Sequence, residues 1–348
     1  MEQRIDAKII KGVGGIYEIR LSADDADMLR ELGIEPDRGD RICCKAKGVF
    51  RHERKILLPG DDVTVRLDTE LMLADRNDES QKKSRDEARA GVLIEEIKPR
   101  RNELIRPPMS NLDLLFAVFA AAMPEPSLLT VDKLVTVAEF KGIEPVIVVT
   151  KADLAPEKAA EYAEIYRKCG FEVFIEGIGY DKSGIEEFLR ENGSKTSAFA
   201  GASGVGKSTL MNRLFPELGL ATGEVSEKTL HGRHTTRHIE LFPLDRQFGS
   251  GAEGYLADTP GFGMLDFVQF DFYTKDDLPL VFREFAPYIG KCRYTKCSHT
   301  KEEGCAILEA VKSGVIPAER HESYLALYEE LKNKHDWDKG TKGSVRVR

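Results

Sequence analysis

Short alternating apolar and polar runs fill the first hundred residues: "AKIIKGVGGIYEIRL", "DRICCKAKGVF", "KILLPGDDVTVRL" and "GVLIEEIKP", separated by Gly, Asp and Pro. Period-two runs of this length, bounded by turn formers, predict a small antiparallel barrel or sandwich. Asp68 to Ala90 is strongly charged and reads as a solvated helix or loop inserted before the last strand, and "PRRNELIRPP" (99–108) as a basic, Pro-bounded linker. From Asn111 the pattern changes. An apolar run, "LDLLFAVFAA", leads to a helical stretch, "LLTVDKLVTVAEFKG", and then to a buried strand, "PVIVV". "PEKAAEYAEIYRKCG" (helix), "FEVFIEG" (strand), "GIEEFLREN" (helix) and "TSAFAG" (strand) follow, with "HIELFPL" and "GYLADTP" as two further strands. Alternation of this kind predicts a parallel α/β sheet. After about Leu280 the chain reads as helix and loop.

The 348-residue chain is 41% hydrophobic, enough for two or three domains with separate cores, and three are expected: 1–100, 101–280 and 281–348. No apolar run reaches the roughly 18 residues of a membrane helix, and the N-terminus lacks the layout of a secretory signal. The expectation is a cytoplasmic protein without membrane contact. A net charge of −8 argues against a general nucleic-acid binder until its distribution is considered. Residues 1–100 carry 20 basic and 22 acidic groups, 101–280 carry 18 and 27, and 281–348 carry 13 and 10. The acidity sits mostly in the middle. Of six cysteines, Cys43, Cys44 and Cys169 read as core thiols.

"GASGVGKST" matches G-x-x-x-x-G-K-[ST] between a strand and a helix, the context that makes this pattern specific for a nucleotide phosphate loop. Gly201, Ala202, Ser203, Gly204, Val205, Gly206, Lys207, Ser208 and Thr209 are the candidate nucleotide contacts. Lys207 would reach the outer phosphates as a catalytic cation, and Ser208 would bind Mg²⁺. "LADTPG" places Asp258 and Gly261 in a D-x-x-G layout, Asp258 toward Mg²⁺ through water and Gly261 toward the γ-phosphate. "HGRHTTRH" (231–238) lies where a switch segment belongs, and Thr235 or Thr236 would complete the Mg²⁺ shell. "TKAD" closes the predicted strand "PVIVV": Asp153 suits the guanine N1–H and amine, Lys151 would pack along the base, and Thr150 opens the motif. Base motif before phosphate loop reverses the usual order. Strand-end loops of an open α/β sheet converge whatever the chain order, so the sequence predicts a circularly permuted P-loop GTPase fold binding GTP and GDP.

"CRYTKCSHTKEEGC" supplies Cys292, Cys297, His299 and Cys305, a closed ligand set suited to one structural Zn²⁺. "KAKGVFRHERK" gathers Lys45, Lys47, Arg51, Arg54 and Lys55 around Phe50, read as an exposed ring, a layout that suits nucleic acid on an oligonucleotide-binding (OB) barrel.

Barrel, permuted GTPase domain and C-terminal Cys/His cluster together resemble the bacterial ribosome small-subunit-dependent GTPase family, as does "GRHTT". The resemblance spans essentially the whole chain. It implies an OB fold, a mostly helical zinc domain with a basic tail, and contacts from both to 16S rRNA on the 30S subunit. It further implies a monomer acting late in subunit assembly and leaving on hydrolysis. The loop after "FEVFI" departs from the family's Ser-Ala: it reads "EGIGYDKSG". Phe262 stands where Ras-type enzymes carry the water-orienting Gln, and Gly204 where a K⁺-holding Asn would be, which leaves His234 as the candidate water-positioning group. A nucleotide-gated rRNA-binding module with incidental hydrolysis is the alternative; a role in large-subunit assembly is disfavoured by the barrel-plus-zinc layout.

Overall fold

The computed structural model describes residues 2–37, 39–52, 55–76, 91–105, 108–179, 183–216, 239–249, 251–258 and 273–332. Along the chain run β1 (Glu2–Val13), β2 (Ile16–Arg20), α1 (Ala23–Glu31), β3 (Arg41–Ala46), α2 (Val49–His52), β4 (Asp62–Asp68), α3 (Thr69–Arg76), β5 (Val92–Ile97), β6 (Glu103–Ile105) and β7 (Pro108–Ser110). Then come β8 (Leu114–Ala120), α4 (Leu128–Phe140), β9 (Glu144–Thr150), α5 (Pro156–Lys168), β10 (Glu172–Ile175), α6 (Ser183–Glu191), β11 (Thr196–Ala200) and α7 (Lys207–Leu214). The remaining elements are β12 (Glu240–Pro243), α8 (Asp245–Phe248), β13 (Tyr255–Asp258), short 3₁₀ turns over Leu278–Val281 and Arg283–Tyr288, α9 (Ala306–Lys312) and α10 (Ala318–Lys332). Two compact units result: residues 1–112, 193–198 and 233–261 form one, and 113–192, 199–232 and 262–348 the other.

In the first unit, β1, β2, β3, β5 and β4 pair in that order and β4 returns to β1, closing a five-stranded barrel. Alternation decides which side chains fill it: Val63, Val65 and Leu67 of β4 are fully buried while Asp62, Thr64 and Arg66 are not. β1 serves two partners by a register shift between Ile9 and Lys11. The extra residue lets the neighbours Ile9 and Ile10 both be buried, which unbroken alternation forbids. The barrel does not stand alone: β12 pairs with β1 at Lys11↔Glu240 and antiparallel with β13, which pairs with the start of β11. β12 therefore breaks the expected all-parallel pattern. Its Glu240 is held by Lys11 at 3.0 Å and by the buried Arg41 at 3.0 Å.

Residues 99–108 are not a plain linker. β6 and β7 form a hairpin, and Arg100 grips the fully buried Asp61 with two bonds of 2.7 and 2.8 Å. Ser110 Oγ and the Leu58 N–H also donate to Asp61, so the buried carboxylate is fully engaged. Of the charged stretch Asp68–Ala90, α3 accounts for the start and residues 77–90 lie outside those described.

In the second unit, β10, β9 and β8 are parallel, with the end of β11 beside β8. All seven residues of β8 are buried, as a central parallel strand covered on both faces requires. The C-terminal segment packs Phe282, Phe285, Ile307, Tyr324 and Leu327 into a core of its own. It is fastened to α4 by Arg320, which is 1% exposed. Arg320 donates to Glu284 at 2.7 Å and to Asp132, and its guanidinium lies 4.7 Å from the Phe282 ring. Removing one partner from a buried ionic network strands the other charges. Arg320→Met is therefore expected to lower the urea-unfolding free energy by roughly 3–5 kcal/mol. Glu186→Gln, on an exposed i,i+4 pair, is expected to change it by less than about 0.5 kcal/mol.

Candidate nucleotide site and metal centre

Lys207 starts α7 directly after the loop that follows β11. Gly201 must be glycine: a Cβ there would meet the Val118 carbonyl oxygen of β8 at 2.0 Å. The Lys207 Nζ folds back onto its own loop and donates to the carbonyls of Gly201 (2.8 Å) and Ala202 (2.7 Å). No anion accompanies it among the described residues, and burial pulls its pKa down to about 8.

Thr150 ends β9 and is buried. Its hydroxyl lies 2.5 Å from the Val205 carbonyl and 3.1 Å from that of Phe119, so it bonds the base motif directly to the phosphate loop. Its polar atom is thereby committed to protein. Lys151 adopts a left-handed backbone (φ 53°) and its ammonium donates to the Met123 carbonyl. Asp153 accepts the Ile178 N–H at 3.0 Å. Thr150, Lys151 and Asp153 line one cavity of about 290 Å³ with Gly206, Thr209, Leu210 and Arg213, close to the lower end of small-ligand sites.

The remaining wall is Glu176, Gly177 and Ile178, the loop whose sequence departs from the family. A Cβ on Gly177 would meet Asp153 Oδ1 at 2.6 Å and Asp153 N at 2.9 Å, so only glycine lets the loop close on the carboxylate. The sequence marks this loop only by its departure from the family's Ser-Ala, and no motif marks Arg213. A helical stripe was available, since Gly206, Thr209, Leu210 and Arg213 repeat at i, i+3, i+4 and i+7.

Several expected residues lie outside the described set: His234, Thr235, Thr236, Gly261, Phe262, Arg54, and the side chains of Arg51 and Asp258. Asp258 closes β13. On the barrel, Phe50 corrects an expectation. It is 6% exposed and belongs to the barrel core, because the single turn α2 folds the ring inward, so it offers no surface face for a base. Lys45 and Lys55 are exposed, and Lys47 pairs with Glu95 at 2.8 Å, a carboxylate also flanked by Arg4 and Arg66.

The ligand atoms of Cys292, Cys297, His299 and Cys305 lie within 4.8 Å of one another. Cys292 Sγ to Cys305 Sγ is 3.8 Å, and His299 Nδ1 is 3.5 and 3.4 Å from the same two sulfurs. A tetrahedral ion with metal–sulfur bonds near 2.3 Å and a metal–nitrogen bond near 2.0 Å requires edges of about 3.8 and 3.5 Å. The donor set fits a metal. Glu302 braces the loop by accepting N–H groups of Ser298 (2.7 Å), Thr300 (3.0 Å) and Lys301 (3.1 Å). His321 bonds the His299 carbonyl at 2.8 Å, and Tyr324 donates to that of Ser298.

The RsgA GTPase family model matches residues 97–268. The small ribosomal subunit biogenesis GTPase RsgA of Caldanaerobacter subterraneus subsp. tengcongensis is 37% identical over 333 residues, covering 95% of this chain and 97% of that one. Its Bacillus subtilis namesake is 34% identical over 334 residues, covering 94% and 98%. The chain belongs to the RsgA GTPase family. Among solved structures, YloQ, described as a circularly permuted GTPase, superposes with a TM-score of 0.69 at 29% identity over 96% of both chains. YjeQ from Thermotoga maritima gives 0.69 at 27% identity over 96% of this chain and 100% of its own. The reversed motif order is thus the permuted GTPase arrangement.

The lowered pKa of Lys207 makes a pH prediction. A bound polyphosphate favours the ammonium, so the bound pKa exceeds the free value of about 8. GDP affinity is then expected to be flat below pH 8 and to fall by up to about tenfold between pH 8 and 9. Fluorescence titration of a labelled GDP tests this, and Lys207→Met is expected to remove the slope. The linked stability effect has the opposite sense. The ammonium is disfavoured in the fold, so its penalty is full below pH 8 and relieved as pH rises toward 10.5.

Proposed function

We propose that this family member hydrolyses GTP to GDP and phosphate while bound to the 30S subunit, acts late in small-subunit biogenesis, and leaves after hydrolysis. One observation carries the reading: the base motif and the phosphate loop, reversed in sequence, open on a single cavity. In this reading Asp153 pairs with the guanine edge, Lys151 covers the base, and Lys207 with the amides of 201–209 holds the phosphates. Ser208, Asp258 through water, and Thr236 or Thr235 complete the Mg²⁺ shell. His234 orients the attacking water when a partner orders residues 231–238.

The three expected domains divide the work. Residues 1–100 grip 16S rRNA through Lys45, Lys47, Arg51, Arg54 and Lys55. Residues 101–280 turn over the nucleotide. Residues 281–348 present Lys291, Arg293, Tyr294 and Lys296 on loops fixed by one structural Zn²⁺. Among the described residues no helix is long and apolar enough to cross a membrane. The proposed 30S partner favours a cytoplasmic location, and we take the chain to act as a monomer.

Phe262 favours one second reading, a nucleotide-gated rRNA binder in which hydrolysis is incidental. Steady-state GTP turnover with added 30S, and separately 50S, subunits decides between them. Stimulation by 30S alone is expected, and a rate indifferent to 30S favours the binder. Asp153→Asn is expected to weaken GDP binding by about 1–3 kcal/mol while leaving thermal stability near wild type; unchanged GDP affinity would overturn the guanine assignment. For the metal, elemental analysis is expected to find one zinc per chain, lost in Cys305→Ala together with a large drop in melting temperature.

A further inference from the structure

The cavity lining contains a charge pair that the proposed function leaves without a task. Glu176 follows β10, its side chain is 4% exposed, and it pairs with the Arg213 guanidinium two turns into α7. Apart from this contact, neither the Glu176 carboxylate nor Arg213 Nε and Nη2 has a hydrogen-bond partner among the described residues. Burial also lowers the Arg213 pKa, so the cation sits there at a cost. A buried carboxylate whose one ionic partner is a one-third-exposed guanidinium is a poor source of stability, since an apolar residue of similar volume would serve as well or better. Its location offers another use.

We infer that Glu176 and Arg213 are positioning residues for base selection: the pair locks the loop beneath Asp153 onto the helix of the phosphate loop. The inference rests on the cavity being the guanine site. Three hydrogen bonds make Asp153 follow this loop. The Glu176 N–H donates to the Val149 carbonyl at 2.8 Å, and the Ala152 N–H donates to the Glu176 carbonyl at 3.0 Å. The Ile178 N–H donates to Asp153 Oδ1 at 3.0 Å. Gly177 between them packs so closely on Asp153 that no side chain fits. A shift of Glu176 therefore turns the carboxylate that must meet two guanine donors at once, a contact adenine cannot make. Arg213 supplies the fixed point. It lies on the same stripe of α7 as Thr209 and Leu210, which line the cavity, and one turn and a half beyond Lys207. Guanine recognition and phosphate recognition thereby share one rigid frame, joined on one side by Thr150 to Val205 and on the other by Glu176 to Arg213.

The test uses the full chain with labelled GDP and ADP, and GTP turnover with 30S subunits. Glu176→Gln and Arg213→Gln are each expected to weaken GDP binding about tenfold and narrow the GDP-over-ADP preference. KM for GTP is expected to rise while kcat stays within about twofold. The exchanged pair, Glu176→Arg with Arg213→Glu, is expected to recover most of the loss. Arg213 is one-third exposed, so its variant carries the test if Glu176→Gln does not fold. Unchanged KM and nucleotide preference with a lowered melting temperature would overturn the inference, as would an exchange no better than either single change. Wild-type protein binding GDP and ADP equally would instead overturn the guanine reading itself.

Discussion

A side-chain hydrogen bond ties the base motif to the phosphate loop: the Thr150 hydroxyl donates to the Val205 carbonyl. It joins the end of β9 to the turn before α7, across 55 residues of sequence and in the reverse of the order usual for GTPases. Behind it the sheet does the coarse alignment. β8 and β9 pair in parallel from Leu114↔Glu144 to Ala120↔Thr150, and Gly201 presses against the Val118 carbonyl on the other side of β8. Permutation costs the site nothing because these contacts run between strand ends, which parallel pairing gathers on one edge.

The most fully partnered buried charges lie away from the cavity: Asp61 is held by Arg100, Ser110 and the Leu58 amide, and Arg320 by Asp132 and Glu284. Those networks weld the hairpin to the barrel and the C-terminal helices to α4. At the cavity, Lys207 has only two loop carbonyls and Arg213 a single carboxylate. Lys207 is thus a partly buried cation with no carboxylate beside it among the described residues, which favours an anionic ligand there.

Much of this was legible in the sequence because it depends on local pattern. The alternation of β4, the unbroken apolar run of β8 and the spacing of Lys207 and Ser208 each report a single element or turn. What failed was the reading of residues whose role is set by something distant. Phe50, amid Lys47, Arg51 and Lys55, looks like a surface ring, but its burial is decided by strands β1 to β5 closing around it. Arg100 looks like linker charge because its partner Asp61 lies 39 residues away. Arg213 has no motif of its own, and its meaning comes from its ion-pair partner Glu176, distant in sequence. The metal set escaped this limit since its four ligands fall within 14 residues, where spacing and geometry are nearly the same information.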